Sequence, residues 1–180
     1  SISREQATAV AAAMNAEAPG SIKIKLAMRY GSPSIAEGLA ALQQQGVHKI
    51  VILPLYPQYS ATTTASTFDA VGDALRKQSY LPELRFINHY YDHPAFIAAL
   101  AESVREYWAE QGTADRLLMS FHGLPQDYIE AGDPYQTQCE QTANALVAAL
   151  ELEDSQWVQT FQSRVGPKQW LQPYTDKTLI

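Results

Sequence analysis

The sequence predicts an α/β fold built on a mainly parallel β-sheet. Helical segments alternate with short strand-like segments along the whole chain, a pattern typical of parallel strands joined by helices. One strand-like segment, residues 49–53 (KIVIL), is almost continuously apolar and rich in β-branched residues, as are strands buried on both faces of a sheet. Hydrophobic residues make up 46% of the 180 residues, enough for a sizeable core.

In the first half of the chain, capping and helix-breaking residues delimit three predicted helices and three predicted strands. Ser3, followed by Gln6, is a plausible N-cap, and Pro19-Gly20 ends the first helix. Ser34 is the expected N-cap of the second helix, and Gly46 follows its end. The predicted helices span residues 7–18, 34–45 and 62–79, and the predicted strands span residues 22–28, 49–53 and 84–88.

The second half of the chain repeats this alternation. Pro94 lies where the first turn of a helix tolerates proline, and Pro134 opens a second predicted helix. The predicted helices span residues 94–111 and 134–150, and the predicted strands span residues 116–121 and 157–162. Residues 166–173 have no clear periodicity, and we expect an irregular segment there.

Charge and cysteine content exclude several classes of function. The net charge is −6 and no basic run is longer than Arg76-Lys77, which argues against a nucleic-acid partner. A lone cysteine, Cys139, cannot form an intrachain disulfide or supply a four-cysteine iron–sulfur cluster within this segment. The cysteine content therefore favours a reducing, cytoplasmic location. Neither a membrane-spanning apolar run nor a signal peptide is recognisable.

The residues directly after the predicted strands are unusually rich in aromatic, histidine and arginine side chains. Ligands of open α/β sheets bind beyond the carboxyl ends of the strands. Such a rim suits a flat, apolar ligand that carries acidic groups. The residues at this rim are Arg29-Tyr30, Tyr56 to Ser60, His89 to Tyr91, His122-Gly123 and Ser163-Arg164.

His122 is the first candidate for chemistry. It follows an apolar strand and precedes Gly123, so its imidazole is expected at the ligand edge, where it could accept a proton or bind a metal. From these residues alone, a structural histidine that only hydrogen-bonds a loop is as good an interpretation as a functional one. His48, His89 and His93 are expected to be structural, since Pro94 makes a continuous helix through the last two improbable.

Three further segments offer candidate ligand contacts. Arg29 and Tyr30 can grip a carboxylate and stack on a ring, although an edge ion pair with a packed tyrosine explains them equally well. Residues 55–64 (LYPQYSATTT) hold hydroxyl groups that could cap the next helix, which leaves their two tyrosines unexplained. Asp133, before a proline, is expected to be an N-cap, and the residues do not decide the role of Trp170.

Four stretches together resemble the ferrochelatase family. They are AMRYGSPS, LPLYPQYSATTT, SFHGLPQDYIEAGDPY and TFQSRVGPKQWLQPYTDKTL, in the family's order and approximate spacing. The resemblance covers essentially the whole chain. It implies three-layer parallel-sheet modules of the chelatase type, two similar modules with a porphyrin cleft between them. Residues 1–92 would be the C-terminal part of the first module and residues 93–180 the N-terminal part of the second.

The resemblance also implies roles for individual residues. His122 matches the family histidine assigned to metal binding and to removal of pyrrole protons. The residues that match the family's substrate-binding positions are Arg29, Tyr30, Tyr56, Gln58, Tyr59, Ser60 and Trp170. The implied substrates are a porphyrin and ferrous iron, with no further cofactor. Peripheral membrane contact stays open, since no amphipathic basic helix supports it.

The resemblance further indicates an internal piece of a longer enzyme. The family carries a carboxylate, usually Glu, that faces the histidine across the cleft, and neither Glu151 nor Asp176 occupies its motif. Two alternatives therefore remain. One is a related chelatase that loads another divalent metal into a different tetrapyrrole, and the other is a porphyrin-binding module without catalysis. The choice between protoporphyrin and coproporphyrin, and the oligomeric state, stay open.

Overall fold

A computed structural model describes residues 2–180, which form two compact units. Unit 1 comprises the chain up to Pro54 together with Ala65–Ile87, and unit 2 comprises Leu55–Thr64 together with Asn88–Ile180. The short segment Leu55–Thr64 therefore packs with unit 2, although it lies in sequence between two parts of unit 1. None of the described helices has the length and hydrophobicity that crossing a bilayer requires.

Unit 1 is a two-stranded parallel sheet with helices. Its elements are α1 (Ile2–Glu17), α2 (Ile35–Gln44), β1 (Lys49–Ile52), α3 (Ser66–Leu75) and β2 (Glu83–Phe86). Strand β1 pairs with β2 in parallel, with Ile50 opposite Leu84. The core is formed by the buried residues Leu39, Ile50, Val71 and Leu75, contributed by α2, β1 and α3.

Unit 2 contains a second parallel strand pair. Its elements are α4 (Pro94–Gln111), β3 (Leu117–His122), α5 (Gln126–Glu130), α6 (Tyr135–Leu150), β4 (Trp157–Gln162) and α7 (Thr175–Thr178). Strand β3 pairs with β4 in parallel, from Leu117 opposite Trp157 to His122 opposite Gln162. A π-helical turn spans Ala61–Ala65 at the boundary with α3, and a 3₁₀ turn spans Asp154–Gln156.

Two core clusters support the β3–β4 pair. One contains Ala101, Met119, Ala143 and Leu146, and the other contains Leu124, Tyr135, Cys139, Phe161 and Leu171. Helix α6 supplies residues to both clusters, because its buried positions recur at helical spacing along one face. The second cluster lies under the segment that follows His122, so the loop after β3 rests on a packed base.

Several sequence predictions agree with the structure. Helix α4 and strand β4 have the predicted bounds. Ser34 caps α2 with a complete capping box, in which its hydroxyl accepts from the Glu37 N–H at 3.2 Å and the Glu37 carboxylate accepts from the Ser34 N–H at 2.6 Å. The irregular segment 166–173 contains no helix, and a single bridging residue is its only β-type pairing.

Other predictions were wrong. Residues 22–28 form no strand, because the only ladder contact there is a single bridge between Met28 and Ser34. Helix α1 already includes Ser3, which therefore is not its N-cap. Strand β1 is not buried on both faces, since Val51 is 62% exposed. Ile50 and Ile52 pack with α2 and α3, whereas Val51 points to the opposite face of the sheet.

Candidate functional site

His122 is the last residue of β3 and lies at the carboxyl edge of the β3–β4 pair. Alternation along the strand buries Met119 and half-buries Phe121 in the cores, and it turns Ser120 and His122 to the other, exposed side. The imidazole is therefore accessible to a ligand, as the sequence predicts. The ladder with β4 continues to the end of the strand, so the backbone that carries the imidazole is held in place.

Gly123 allows a close approach directly beside His122. Its N–H donates to the Gln162 carbonyl at 2.7 Å. A Cβ at this position would lie 2.8 Å from that oxygen and 3.4 Å from Cε3 of Trp170. A side chain would therefore collide with backbone, which is why glycine is required here for space.

Trp170 lies against Gly123, the residue after His122, next to a short antiparallel contact that sequence periodicity did not predict. Trp170 forms a bridge with Pro125. The Leu171 N–H donates to the Leu124 carbonyl at 2.9 Å, and the Trp170 indole N–H donates to the Val165 carbonyl at 3.1 Å. The indole is half-buried and lies against Gly123. Two predicted site residues, His122 and Trp170, are thus brought together within unit 2.

Tyr135 and Cys139 lie beneath this edge, on the first turns of α6. Burial raises the pKa of the Tyr135 phenol, a neighbouring thiol and carboxylate raise it further, and a hydrogen bond with the His122 backbone partly offsets the rise. Burial likewise raises the pKa of the Cys139 thiol, to about 12. Both groups are therefore neutral near pH 7.

The loop of residues 56–61 is fastened to α6 by buried polar groups. The Gln58 amide donates to the Thr142 hydroxyl at 2.9 Å, and the Tyr59 N–H donates to the Gln138 side-chain oxygen at 2.7 Å. Gln58, Gln138 and Thr142 are all buried. Burying a polar group without a hydrogen-bond partner is costly, so these hydrogen bonds hold the loop in one position on α6.

The predicted substrate contacts in this loop separate into two groups. Gln58 and Ser60 are buried and hydrogen-bonded inside unit 2, and Ser60 has no exposed surface. Tyr56 is 40% exposed, and Tyr59 is half-buried. The two tyrosines, rather than the two buried polar residues, therefore have ring surface that can meet a ligand.

Asp133 was predicted to be an N-cap, but the N-cap of α6 is Pro134, and Asp133 lies one residue before it, where its carboxylate accepts from the Tyr135 N–H at 3.0 Å. It also accepts from the Ser60 hydroxyl and the Ala61 N–H. Sequence reasoning missed this second role, and it missed Gln138 and Thr142 altogether. The available signal was two polar residues at i and i+4 on the otherwise buried face of α6.

Arg29 and Tyr30 belong to unit 1. The Arg29 Nε donates to the Ser66 carbonyl at 3.0 Å and to its hydroxyl at 2.9 Å, and the guanidinium lies 4.6 Å from the centroid of the Tyr30 ring. Tyr30 is 73% exposed. Arg29 also lines a shallow depression of about 340 Å³ with Asp73 and Lys77. The guanidinium is thus oriented by Ser66 while the phenol ring stays open to solvent.

The other histidines have structural contacts. The His93 Nδ1 accepts from the Ala95 N–H at 3.2 Å and so caps α4. His48 makes an edge-to-face contact with Tyr80, with ring centroids 5.7 Å apart. His89 stacks at a tilt on Tyr91. Residues 2–180 contain no group of three or more His, Cys, Asp or Glu side chains arranged to share one metal ion.

The fold places the chain in a known structural class. It superposes on SirB from Bacillus subtilis, solved with Fe³⁺, with a TM-score of 0.59 and 14% sequence identity, covering 89% of this chain and 60% of that chain. At this identity the likeness concerns the fold alone. The predicted α/β fold with parallel strands, of the chelatase type, is confirmed, and the strands form two short parallel sheets.

Sequence comparison then gives the family. The ferrochelatase family model matches residues 1–180, and the chain belongs to the ferrochelatase family. Ferrochelatases from Thioalkalivibrio sulfidiphilus and Alcanivorax borkumensis are 50% and 52% identical over 99% and 88% of this chain. The Aeromonas hydrophila ferrochelatase is 49% identical over 99% of the chain. The chain spans about half the length of these relatives, 48%, 46% and 55% respectively.

Proposed function

We propose that this chain is part of a ferrochelatase, an enzyme that inserts ferrous iron into a free-base porphyrin to form haem, and that His122 is its proton acceptor and first metal ligand. The observation that carries the proposal is the exposed imidazole of His122 at the carboxyl edge of β3, followed by Gly123 against the Trp170 indole, in a chain of the ferrochelatase family. This combination supplies a basic nitrogen and an aromatic wall at one position.

The chemistry requires such a nitrogen. A free-base porphyrin carries two pyrrole N–H protons, and both must leave as Fe²⁺ enters, so that the charge of the metal replaces the charge of the protons. A neutral imidazole can accept these protons one at a time and pass them to water. Its nitrogen can also bind Fe²⁺, because imidazole is a good ligand for this ion. The raised pKa values of Tyr135 and Cys139 keep both groups protonated near pH 7, so neither can accept these protons.

Aromatic and cationic side chains in each unit are our candidates for contact with the porphyrin. Trp170, Tyr56 and Tyr59 offer aromatic surface for stacking, and they are the unit 2 residues that we assign to porphyrin contact. In unit 1, Tyr30 offers a ring, and Arg29 offers a guanidinium suited to a propionate carboxylate. Gln58 and Ser60 would act indirectly, because their hydrogen bonds hold the loop that carries Tyr56 and Tyr59 in position.

The same proposal covers the module boundaries, the cofactor requirement and the location of the protein. Residues 1–92 and 93–180 would belong to two successive chelatase modules. Fe²⁺ is a substrate, and the proposal needs no resident cofactor. A cytoplasmic location is supported by the single cysteine, which is buried as a free thiol, and by the bacterial origin of the relatives.

A visible-absorption titration tests the proposal. The 180-residue chain is titrated with a free-base porphyrin, and ferrous iron is then added without oxygen. We expect a shifted Soret band and loss of the free-base bands faster than in a protein-free control. His122→Ala should abolish the acceleration and keep the Soret shift, whereas His48→Ala, which removes an exposed imidazole in unit 1, should behave like the parent chain.

The outcomes separate the competing functions. A Soret shift without metal insertion by the parent chain would favour a porphyrin-binding module. Faster insertion of cobalt or nickel than of iron would favour a chelatase for another metal. Insertion that survives His122→Ala unchanged would contradict the role of this histidine.

A further inference from the structure

The carboxylate of Asp133 holds two separate parts of unit 2 together. Its Oδ1 accepts from the Tyr135 N–H in the first turn of α6 at 3.0 Å. Its Oδ2 accepts from the Ser60 hydroxyl at 2.9 Å and from the Ala61 N–H at 2.7 Å. One side chain therefore accepts from the first residue of α6 with one oxygen and from a distant loop with the other.

The groups around Asp133 suit a side chain with two acceptor oxygens. The Ser60 hydroxyl accepts from the Thr62 N–H at 3.1 Å, lies 2.9 Å from the Thr62 hydroxyl, and donates to Asp133 at 2.9 Å. Asp133 thus meets three donors and no acceptor. A carboxylate can accept all three, whereas an amide would turn an NH₂ group toward at least one N–H or O–H donor. The position near the N-terminus of α6 also favours a negative charge.

Further anchors continue along the same helix. Gln138 accepts from the Tyr59 N–H at 2.7 Å, and Thr142, one turn later, accepts from the Gln58 amide at 2.9 Å. Four consecutive loop residues, 58 to 61, are thereby bonded to Asp133 and to successive turns of α6. These bonds engage the backbone of the loop and its two buried polar side chains, and they leave the rings of Tyr56 and Tyr59 unengaged.

We propose that Asp133 is a positioning residue, which fixes the loop of residues 56–61 on α6 and so presents Tyr56 and Tyr59 to the substrate in one orientation. The substrate part of this inference rests on the proposed function, because it takes the loop to face the porphyrin. The anchoring part does not depend on it. Asp133 touches no reacting atom and acts through the loop alone.

Asp133→Asn tests the inference, because it keeps the shape and removes the charge. Asp115→Asn is the matched control, since Asp115 is an exposed aspartate of the same unit. Hydrogen exchange of the amides of residues 58–62 is measured without porphyrin. We expect exchange in Asp133→Asn to be faster by about tenfold or more, the usual cost of losing hydrogen bonds to a charged group, with no change in the control.

Porphyrin titration of the same variants supplies the second measurement. In Asp133→Asn we expect a Kd weakened by about tenfold and a displaced Soret maximum of the bound ring, on the scale of one lost charge-assisted interaction. A purely structural role would lower the melting temperature and leave the Kd and the Soret maximum of the folded fraction unchanged. That result would overturn the inference.

Two safeguards keep the outcomes decisive. Ser60→Ala removes the loop side of one bond and leaves the carboxylate, so a smaller change in the same direction supports the inference even if Asp133→Asn does not fold. Unchanged amide exchange in both variants overturns the anchoring. Absence of any Soret shift in the parent chain overturns the proposed function, and with it the inference that the loop presents its tyrosines to a porphyrin. Amide hydrogen exchange still tests whether Asp133 anchors the loop to α6.

Discussion

The N–H of Gly123 donates to the carbonyl of Gln162 at 2.7 Å, and a Cβ on Gly123 would lie 2.8 Å from the same oxygen. This contact joins the end of β3 to the end of β4 directly after His122. The Trp170 indole closes the other side of the glycine, with Cε3 3.4 Å from the same hypothetical Cβ. The position of the imidazole therefore depends on a residue without a side chain.

Gly123→Ala should destabilise the chain by about 1–3 kcal/mol, because the added methyl group collides with backbone that cannot yield like a flexible side chain. Urea unfolding followed by tryptophan fluorescence measures the change, and displacement of Trp170 should also alter the native emission. Gly72→Ala is the control, because Gly72 lies in α3 with nothing within 4 Å of its Cβ position. This control should stabilise by about 0.5–1 kcal/mol, and equal effects at the two glycines would contradict the close approach.

Thr142→Val should destabilise unit 2 by about 1–3 kcal/mol, because it leaves buried partners without a hydrogen bond. The Thr142 hydroxyl lies 2.9 Å from both the Tyr91 carbonyl and the Gln58 amide nitrogen. Thr137→Val, at an exposed position of the same helix, is the matched control and should change stability by less than about 0.5 kcal/mol. Chemical denaturation of the two variants provides the comparison, and similar losses would show that the buried network contributes nothing.

Ser34→Ala should destabilise α2 by about 1 kcal/mol, the usual effect of removing an N-cap. The capping box also makes stability depend on pH, because hydrogen bonds from Ser34 lower the pKa of Glu37 below its ordinary value of 4.5. The stabilisation that ionised Glu37 contributes is fully present above its ordinary pKa of 4.5. It is lost as the pH falls through the lower pKa that Glu37 has in the folded chain. Thermal melts of the parent chain and of Glu37→Gln at several pH values below neutral measure this contribution. The same dependence of melting temperature on pH in both proteins would exclude it.

Cys139 should make the chain less stable at high pH. Burial raises the pKa of its thiol from the ordinary 9.0 to about 12 in the folded chain, so the unfolded chain loses this proton first. Above about pH 9 the unfolded state binds fewer protons than the native state, and the free energy of unfolding falls by about 1.4 kcal/mol per pH unit for this group.

Denaturation of Cys139→Ala at several alkaline pH values isolates the contribution of the thiol. The variant should show a shallower decline than the parent chain, because it lacks the thiol proton and also the part of the rise in the Tyr135 pKa that the thiol causes. Parallel declines in the two proteins would mean that the thiol is accessible to solvent in the native state. A thiol reagent at pH 8 gives an independent check, because a buried neutral thiol reacts slowly.

Local signals in the sequence were sufficient for most of the framework. Pro94 and the break after Gln111 delimited α4, and the hydroxyl of Ser34 with Glu37 three residues later identified the start of α2. His122 could be placed at the carboxyl edge of a strand because an apolar run ends there and a glycine follows. Each of these features depends on neighbours within a few residues, and such neighbours determine helix caps, breaks and strand ends.

Only the tertiary structure decided which predicted site residues face outward. Gln58 and Ser60 lie among rim residues in the sequence, yet they are buried by bonds to Thr142 and Asp133, more than seventy positions away in each case. Residues 22–28 alternate like a strand and remain unpaired, since the described chain provides only a single bridge at Met28. Hydropathy and spacing determine where elements begin and end, whereas pairing between distant polar groups depends on how the elements pack, which no local pattern records.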